Sequence, residues 1–178
     1  EREFERDIHA VRELIPRLKN QYRLAGLRTS VRTFEGAGEY AKALEDSIVS
    51  QPKEIFAYEV LVGKKPSLET RHAHDARRIT QKIQKKVLFF NHPDAQYVIR
   101  DRRYDDYTQF RAVQVRALAP FSVDLILYEG KLLYTTYYDA HEPTATLIED
   151  RALYEMQKSI FETLWKSGKD YTLTTSHS

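Results

Sequence analysis

The chain has 178 residues, 42% of them hydrophobic and 30% charged, with 28 basic and 26 acidic side chains and a net charge of +2. That composition supports one globular core with some additional helix, and its near-neutral balance is not that of a surface built to grip nucleic-acid phosphates. There is no cysteine, which excludes disulfides, thiolate zinc sites and cysteine nucleophiles.

Residues 1–22 carry Phe4, Ile8, Val11, Ile15, Leu18 and Tyr22. The gaps alternate between four and three, the heptad spacing of a helix that pairs with another helix. Phe4, Ile8, Val11, Ile15 and Leu18 are therefore the predicted dimerisation seam. The plainer alternative is a helix packed on its own domain. Pro16 removes a backbone donor inside the seam and predicts a kink or a fresh helix start. Gly26 closes this region. The chain opens on Glu1, within the helical pattern and without Met, so a fragment of a longer protein is expected.

Thr29 to Phe34 reads as a short strand, and Glu35-Gly36-Ala37-Gly38 leads from it into a helix. That helix carries Ala37, Tyr40, Ala41, Leu44 and Ile48 on one face and ends near Ser50-Gln51-Pro52. The G-x-G invites comparison with a phosphate cradle. A dinucleotide fingerprint needs a buried strand before it, a third small residue and an acidic residue about 20 positions on. Ala41 loosely fits the third position. Arg32, however, interrupts the strand, and Glu35 and Glu39 would set negative charge where a phosphate must sit. Gly36 reads instead as a strand-to-helix turn.

Glu54 to Val62 is a predicted central strand, apolar on both faces. A second helix is expected from Pro66 to about Lys86, with Leu68, Ala76, Ile79 and Ile83 as its apolar side. Its His72-Ala73-His74 pair is not metal-ligand spacing, because positions two apart on a helix do not face one another. His72 is expected near the buried face and His74 near solvent. Arg71, His74, Arg78, Lys82 and Lys85 recur at helical steps as a basic ridge. Such a ridge either contacts phosphate or, more commonly, is a solvated face.

Val87 to Phe90 reads as a short strand and Pro93 to about Tyr107 as a third helix. Asp101, Asp105 and Asp106 lie among Arg100, Arg102 and Arg103, a pattern of helix ion pairs rather than of paired catalytic carboxylates. No G-x-S-x-G is present. Tyr97, Tyr104, Tyr107, Tyr128, Tyr134, Tyr137 and Tyr138 suit either stacking on sugars and bases or half-buried packing. The sequence leaves both open.

The C-terminal half changes to consecutive strands: Ala112–Leu118, Ser122–Tyr128, Lys131–Tyr138 and Thr144–Ile148. Glu129-Gly130 is a two-residue hairpin signal. Asp150 is a good N-cap for a closing helix to about Lys166, with Leu153, Met156, Ile160, Phe161 and Leu164 as its buried face. Gly168 follows as a stop. The chain thus divides into a linker helix region over 1–26, an α/β domain over 27–168 and a flexible tail over 169–178. No signal-peptide pattern and no apolar run of about 20 residues appears, so a soluble cytoplasmic protein is the expectation.

These segments, in this order, resemble the C-terminal regulatory domain of TrmB-like transcriptional regulators. Leu14-Ile15-Pro16-Arg17-Leu18 resembles the proline-bearing end of that family's linker coiled coil. Val31-Arg32-Thr33-Phe34-Glu35-Gly36 is similar to the approach to its first domain helix, and Lys53-Glu54-Ile55-Phe56-Ala57-Tyr58 to its first central strand. Val123 through Lys131 resembles its hairpin. Leu147 through Asp150, with Ser159 through Lys166, resembles its closing strand and helix. The likeness runs from about residue 10 to 167. Each motif is degenerate alone, and the order and spacing carry the comparison.

The resemblance implies a phospholipase D-like α/β fold, a mixed sheet flanked by helices and preceded by a coiled-coil-type helix. It further implies a non-catalytic effector-sensing domain in a homodimer. It implies no cofactor and no metal, a small-molecule effector such as a sugar or metabolite, and DNA contacted only through a winged helix outside this chain. No ligand residue is carried over. Phospholipase D enzymes use H-x-K-x-x-x-x-D, with histidine as nucleophile and lysine on the phosphate. Two places after the histidines stand Val11, His74, Ala76, Asp94 and Pro143, and His177 has no counterpart. The chain therefore has no H-x-K. Two alternatives stand beside the regulator: a phosphodiesterase of the same fold, and an interaction module without ligand.

Overall fold

The computed structural model describes residues 29–60, 68–90, 95, 107–113, 123–137 and 142–171. Val31–Ser178 form one compact unit, and of the other unit, Glu1–Ser30, only Thr29 and Ser30 are described. The seam Phe4, Ile8, Val11, Ile15 and Leu18 lies outside the described residues, as do Asp101, Asp105 and Asp106 and most of the third predicted helix.

β1 (Ser30–Glu35) runs into α1 (Ala37–Val49) through Gly36, whose φ of 84° only glycine adopts easily. α1 stops where Ser50 caps it and Gln51 turns left-handed, at φ 46°. β2 (Glu54–Tyr58) is followed by α2 (Leu68–Thr80) and β3 (Gln84–Phe90). Here α2 is shorter than its sequence pattern suggests. Lys82 adopts φ 58°, which breaks the helix and places Lys85 on β3. β4 (Thr108–Val113) begins in a stretch expected to end a helix. β5 (Asp124–Tyr128), β6 (Lys131–Tyr137) and β7 (Pro143–Glu149) form a meander from the last three of the four consecutive strands expected, while Ala112 and Val113 of the first end β4, parallel to β3. Glu129 and Gly130, both at positive φ, make its first hairpin turn.

α3 (Arg151–Ser167) starts on Asp150, whose carboxylate accepts the Leu153 backbone N–H at 3.0 Å. After Gly168, β8 (Lys169–Asp170) pairs with β4, which brings two residues expected in the tail onto the sheet.

The strand order is β1-β7-β6-β5-β2-β3-β4-β8. β2, β3 and β4 are parallel neighbours, while β5, β6 and β7 extend the sheet on the other side of β2, each antiparallel to the strand before it in the sheet. The chain therefore builds outward from β2 in one direction, then returns to build outward on its other side. The crevice between β2 and β5 is the point where that direction reverses.

Side chains alternate across the sheet as the two-residue period of a strand requires. One face carries Ile55, Ile126, Tyr128, Leu133, Ala145 and Leu147 and is covered by Tyr40, Ala43, Leu44 and Ile48 of α1. The other carries Phe56, Tyr58, Leu88, Leu125, Leu127 and Leu132 and is covered by Tyr154 and Phe161 of α3. Phe161 is fully buried and meets Phe56 and Tyr58 edge-on, each at 5.2 Å between centroids. Burying a ring of this kind contributes about 2–3 kcal/mol. Among the described residues three helices thus flank an eight-stranded mixed sheet, and no helix is long and apolar enough to cross a membrane.

Candidate functional site

In open α/β sheets, ligands bind where the strand order reverses, beyond the carboxyl ends of the parallel strands. Glu59 follows the end of β2 and Asp124 begins β5, so the sheet sets a carboxylate on each side of its reversal point. The first turns of α2 bring Arg71 between them. Its Nη1 donates to Asp124 Oδ2 at 2.8 Å and its Nη2 to Glu59 Oε2 at 3.2 Å.

Around this pair lies a wider buried network. Asp124 also accepts from the Tyr137 hydroxyl at 2.9 Å and the Val60 backbone N–H at 2.7 Å. Lys85 Nζ reaches Glu59 Oε1 at 2.9 Å and Asp75 Oδ1 at 3.4 Å. Arg78 donates to Asp75 Oδ1 at 3.3 Å, to the carbonyls of Ile83 and Tyr107 at 2.8 and 3.1 Å, and to the Thr108 hydroxyl at 2.6 Å.

The cations Arg71, Arg78 and Lys85 thus balance the carboxylates Glu59, Asp75 and Asp124. Of the six, only Asp75 is more than slightly exposed. Burial opposes the Arg71 charge, but Asp124, with Tyr137 and Glu59, outweighs it and holds the guanidinium well above its ordinary value. Burial likewise pushes the Tyr137 and Tyr40 phenols up, so both remain protonated donors.

The cavity among Tyr40, Glu59, Arg71, Asp75, Lys85 and Asp124 measures about 10 Å³, room for no more than one water. The crevice is occupied by the chain's own charges.

Ser47, His74 and Asp75 come together here in a way that superficially recapitulates a nucleophile, base and orienting acid. Ser47 Oγ lies 2.9 Å from His74 Nε2, and His74 Nδ1 lies 3.9 Å from Asp75 Oδ1. The protons run the wrong way for catalysis. The Ser47 hydroxyl donates to the Leu44 carbonyl at 2.7 Å, so His74 must donate its Nε2 proton to Ser47 rather than take one. Nδ1 is too far from Asp75 to be held by it. Ser47 is also fully buried. Burial, reinforced by Lys85, Arg78 and Arg71 against the opposing pull of Asp75, lowers His74 to about 4. The imidazole is neutral at physiological pH.

The histidine expectation is therefore reversed: His72 is exposed and His74 buried. The basic ridge is also corrected. Arg71, His74 and Arg78 face inward, and Lys85 reaches the same network from a strand. The signal for this was the apolar poverty of α2, whose Ala76 is exposed. A helix with so few apolar residues can be covered only by turning polar ones inward onto partners.

Other expected features fall elsewhere. Gly38 has no neighbour within 4 Å of where a Cβ would stand, so nothing requires glycine there as a cradle would. No group of three His, Asp or Glu is placed to hold a metal among the described residues. Tyr128 is buried, hydrogen-bonded to Asp46 at 3.0 Å. Tyr97, Tyr104 and Tyr138 lie outside the described residues.

Solved structures match this chain over most of its length. The fold is that of the phospholipase D family. Nuc from Salmonella typhimurium, a phospholipase D family member, matches with a TM-score of 0.53 at 15% identity, over 81% of this chain and 99% of its own. NucT from Helicobacter pylori matches with 0.54 at 8% identity, over 81% and 100%. TrmBL2, an archaeal chromatin protein with a novel mode of DNA binding, matches with 0.51 at 15% identity. That likeness covers 92% of this chain but 65% of TrmBL2, so the chain spans less than two thirds of that protein. No protein-family model and no curated protein sequence matches. At these identities the likeness is one of fold.

Proposed function

We propose that this chain is the non-catalytic, effector-sensing and dimerising domain of a cytoplasmic TrmB-like transcription regulator. The observation that carries the reading is the filled crevice between β2 and β5. Within it Arg71, Lys85, Glu59 and Asp124 neutralise one another, which leaves no charged group there ready to act on a phosphodiester. The nearby imidazole of His74 is neutral and committed to Ser47. The chain also lacks H-x-K.

DNA would be contacted by a separate winged helix, and dimerisation would use the seam Phe4, Ile8, Val11, Ile15 and Leu18. The likeness to TrmBL2 over most of this chain supports placing it in such an assembly. An effector entering the crevice must displace Arg71 from Glu59 and Asp124, because the cavity is too small otherwise. Occupancy is then linked to the position of α2, and a signal can bias one conformation over another.

The same fold in Nuc favours a phosphodiesterase as the second reading, since that match spans nearly all of Nuc. A bis-phosphodiester reporter separates the two. No turnover is expected. Turnover abolished by changing a single histidine would overturn the regulator. A panel of sugars, nucleotides and metabolites then tests sensing. A true effector at about 100 times its dissociation constant adds about 2.7 kcal/mol of stability, and a panel without any thermal shift would favour a ligand-free interaction module.

A further inference from the structure

α3 does not bury the face its sequence suggests. Met156 and Ile160, expected in the core, are 51% and 45% exposed, while Tyr154 and Phe161 hold the helix to the sheet. A helix advances about 100° per residue, which sorts the remaining side chains into two groups. Arg151, Glu155, Lys158, Glu162 and Lys166 gather along one flank. The outward face consists of Ala152, Met156, Ser159, Ile160, Thr163 and Ser167, all exposed and none charged. The solvent face of a helix in a monomeric domain is ordinarily its charged one.

This face is also prepared for covering. The Thr163 and Ser167 hydroxyls donate to the Ser159 and Leu164 carbonyls, both at 2.9 Å. Burying them leaves no donor stranded. Ala152 and Ser159 are small enough to let another helix come close.

We infer that this face is a self-association surface on which α3 of a second copy packs antiparallel. The charged flank selects that partner. Arg151, Glu155, Lys158 and Glu162 read plus, minus, plus, minus, so the row is its own complement when reversed. With the two-fold axis between Met156 and Gln157, Arg151 meets the partner's Glu162 and Glu155 meets the partner's Lys158. Ile160 then packs on the partner's Leu153. A parallel pair in register would oppose like charges throughout. Within one copy Arg151 already pairs with Glu155 at 2.7 Å, and Lys158 lies 3.9 Å from Glu162, so the row is laid out before the partner arrives. The contact is isologous, as closed two-fold assemblies require, and it uses none of the residues Phe4 to Leu18.

Light scattering on the full chain between about 5 and 200 µM tests it. Ile8→Glu with Val11→Glu removes the seam, and that variant is expected to remain a dimer through α3. Adding Met156→Glu and Ile160→Glu should make it monomeric. A seam variant that is already monomeric, or association that survives all four changes, overturns the proposal.

Charge reversal reads the register without touching the core. In the seam-broken background, Arg151→Glu alone and Glu162→Arg alone should each weaken the dimer at least tenfold. The two together should restore it to within about twofold. Residues 151 and 162 are some 16 Å apart along one helix, so restoration can arise only between copies. Failure of the double reversal to restore the dimer, with the helical circular dichroism intact, overturns the antiparallel pairing.

Discussion

Arg71 and Asp124 are 53 residues apart in the sequence and 2.8 Å apart in the fold, both buried at the point where the sheet reverses its order. Their contact fastens α2 to β5, and through Glu59 to β2. A guanidinium suits this position because its planar fork can serve two carboxylates at once, which a lysine ammonium cannot do in the same geometry.

Removing that fork takes the guanidinium from two buried carboxylates, leaving Glu59 to Lys85 and Asp124 to the Tyr137 and Val60 donors. Arg71→Ala is expected to destabilise the domain by about 3–5 kcal/mol, the cost of breaking a buried ion pair by removing one partner. Arg77, on the same helix, is a direct control. It pairs with Glu45 at 2.6 Å, but its side chain is 60% exposed, and Arg77→Ala should cost less than about 1 kcal/mol. Urea unfolding of the two variants measures the contrast. Equal losses would mean that the internal network is no stronger than a surface pair.

How much of this was legible beforehand follows from what each signal reports. Strand β6, helix α1 and the Glu129-Gly130 turn were readable because their residues obey local rules: alternation, a 3.6-residue stripe and a positive-φ turn pair. Asp150 was readable as a cap for the same reason. The polar site was not. The spacing of Arg71, His74 and Arg78 shows that they share a face, but not which way that face points. The answer lies in Glu59 and Asp124, which become neighbours only when β5 returns beside β2. Met156 and Ile160 failed in the opposite sense. They are apolar and helically spaced, yet Tyr154 and Phe161 hold the inward side. The end of α2 was missed because Lys82 takes a left-handed turn without the glycine that usually announces one.

His74 gives the domain a definite acid sensitivity. Its folded pKa is about 4, below the ordinary value of 6.5. Between those values the unfolded chain binds a proton that the folded chain excludes. Stability from this group is therefore complete above about pH 6.5 and declines as pH falls toward 4, by about 3 kcal/mol in all. His74→Gln cannot take up that proton and keeps a donor available for Ser47. Its unfolding free energy should fall less than that of the unaltered chain between pH 6.5 and 4, even if it is less stable at pH 7. Parallel curves for the two proteins over that range would show that His74 does not titrate there as its burial requires.

The two glycines of the G-x-G make opposite predictions, and together they separate a turn from a cradle. Gly36 combines φ 84° with ψ 165°, a region essentially reserved for glycine. A Cβ placed there would also stand 2.5 Å from Glu142 Oε2. Glu142 can swing away, but the backbone cannot relax without losing the Gly36 N–H bond to the Pro143 carbonyl, at 3.2 Å. Gly36→Ala should therefore cost about 1–3 kcal/mol. Gly38 lies within the first turn of α1, at ordinary φ and in open space. Gly38→Ala should stabilise the helix by up to about 1 kcal/mol, since alanine loses less backbone freedom on folding. Thermal unfolding of both variants is the measurement. A phosphate cradle needs the backbone bare at both positions, so loss of stability or of nucleotide binding on Gly38→Ala would restore the reading that the turn excludes. A rise in melting temperature at Gly38 with a fall at Gly36 leaves the motif as the corner by which β1 enters α1.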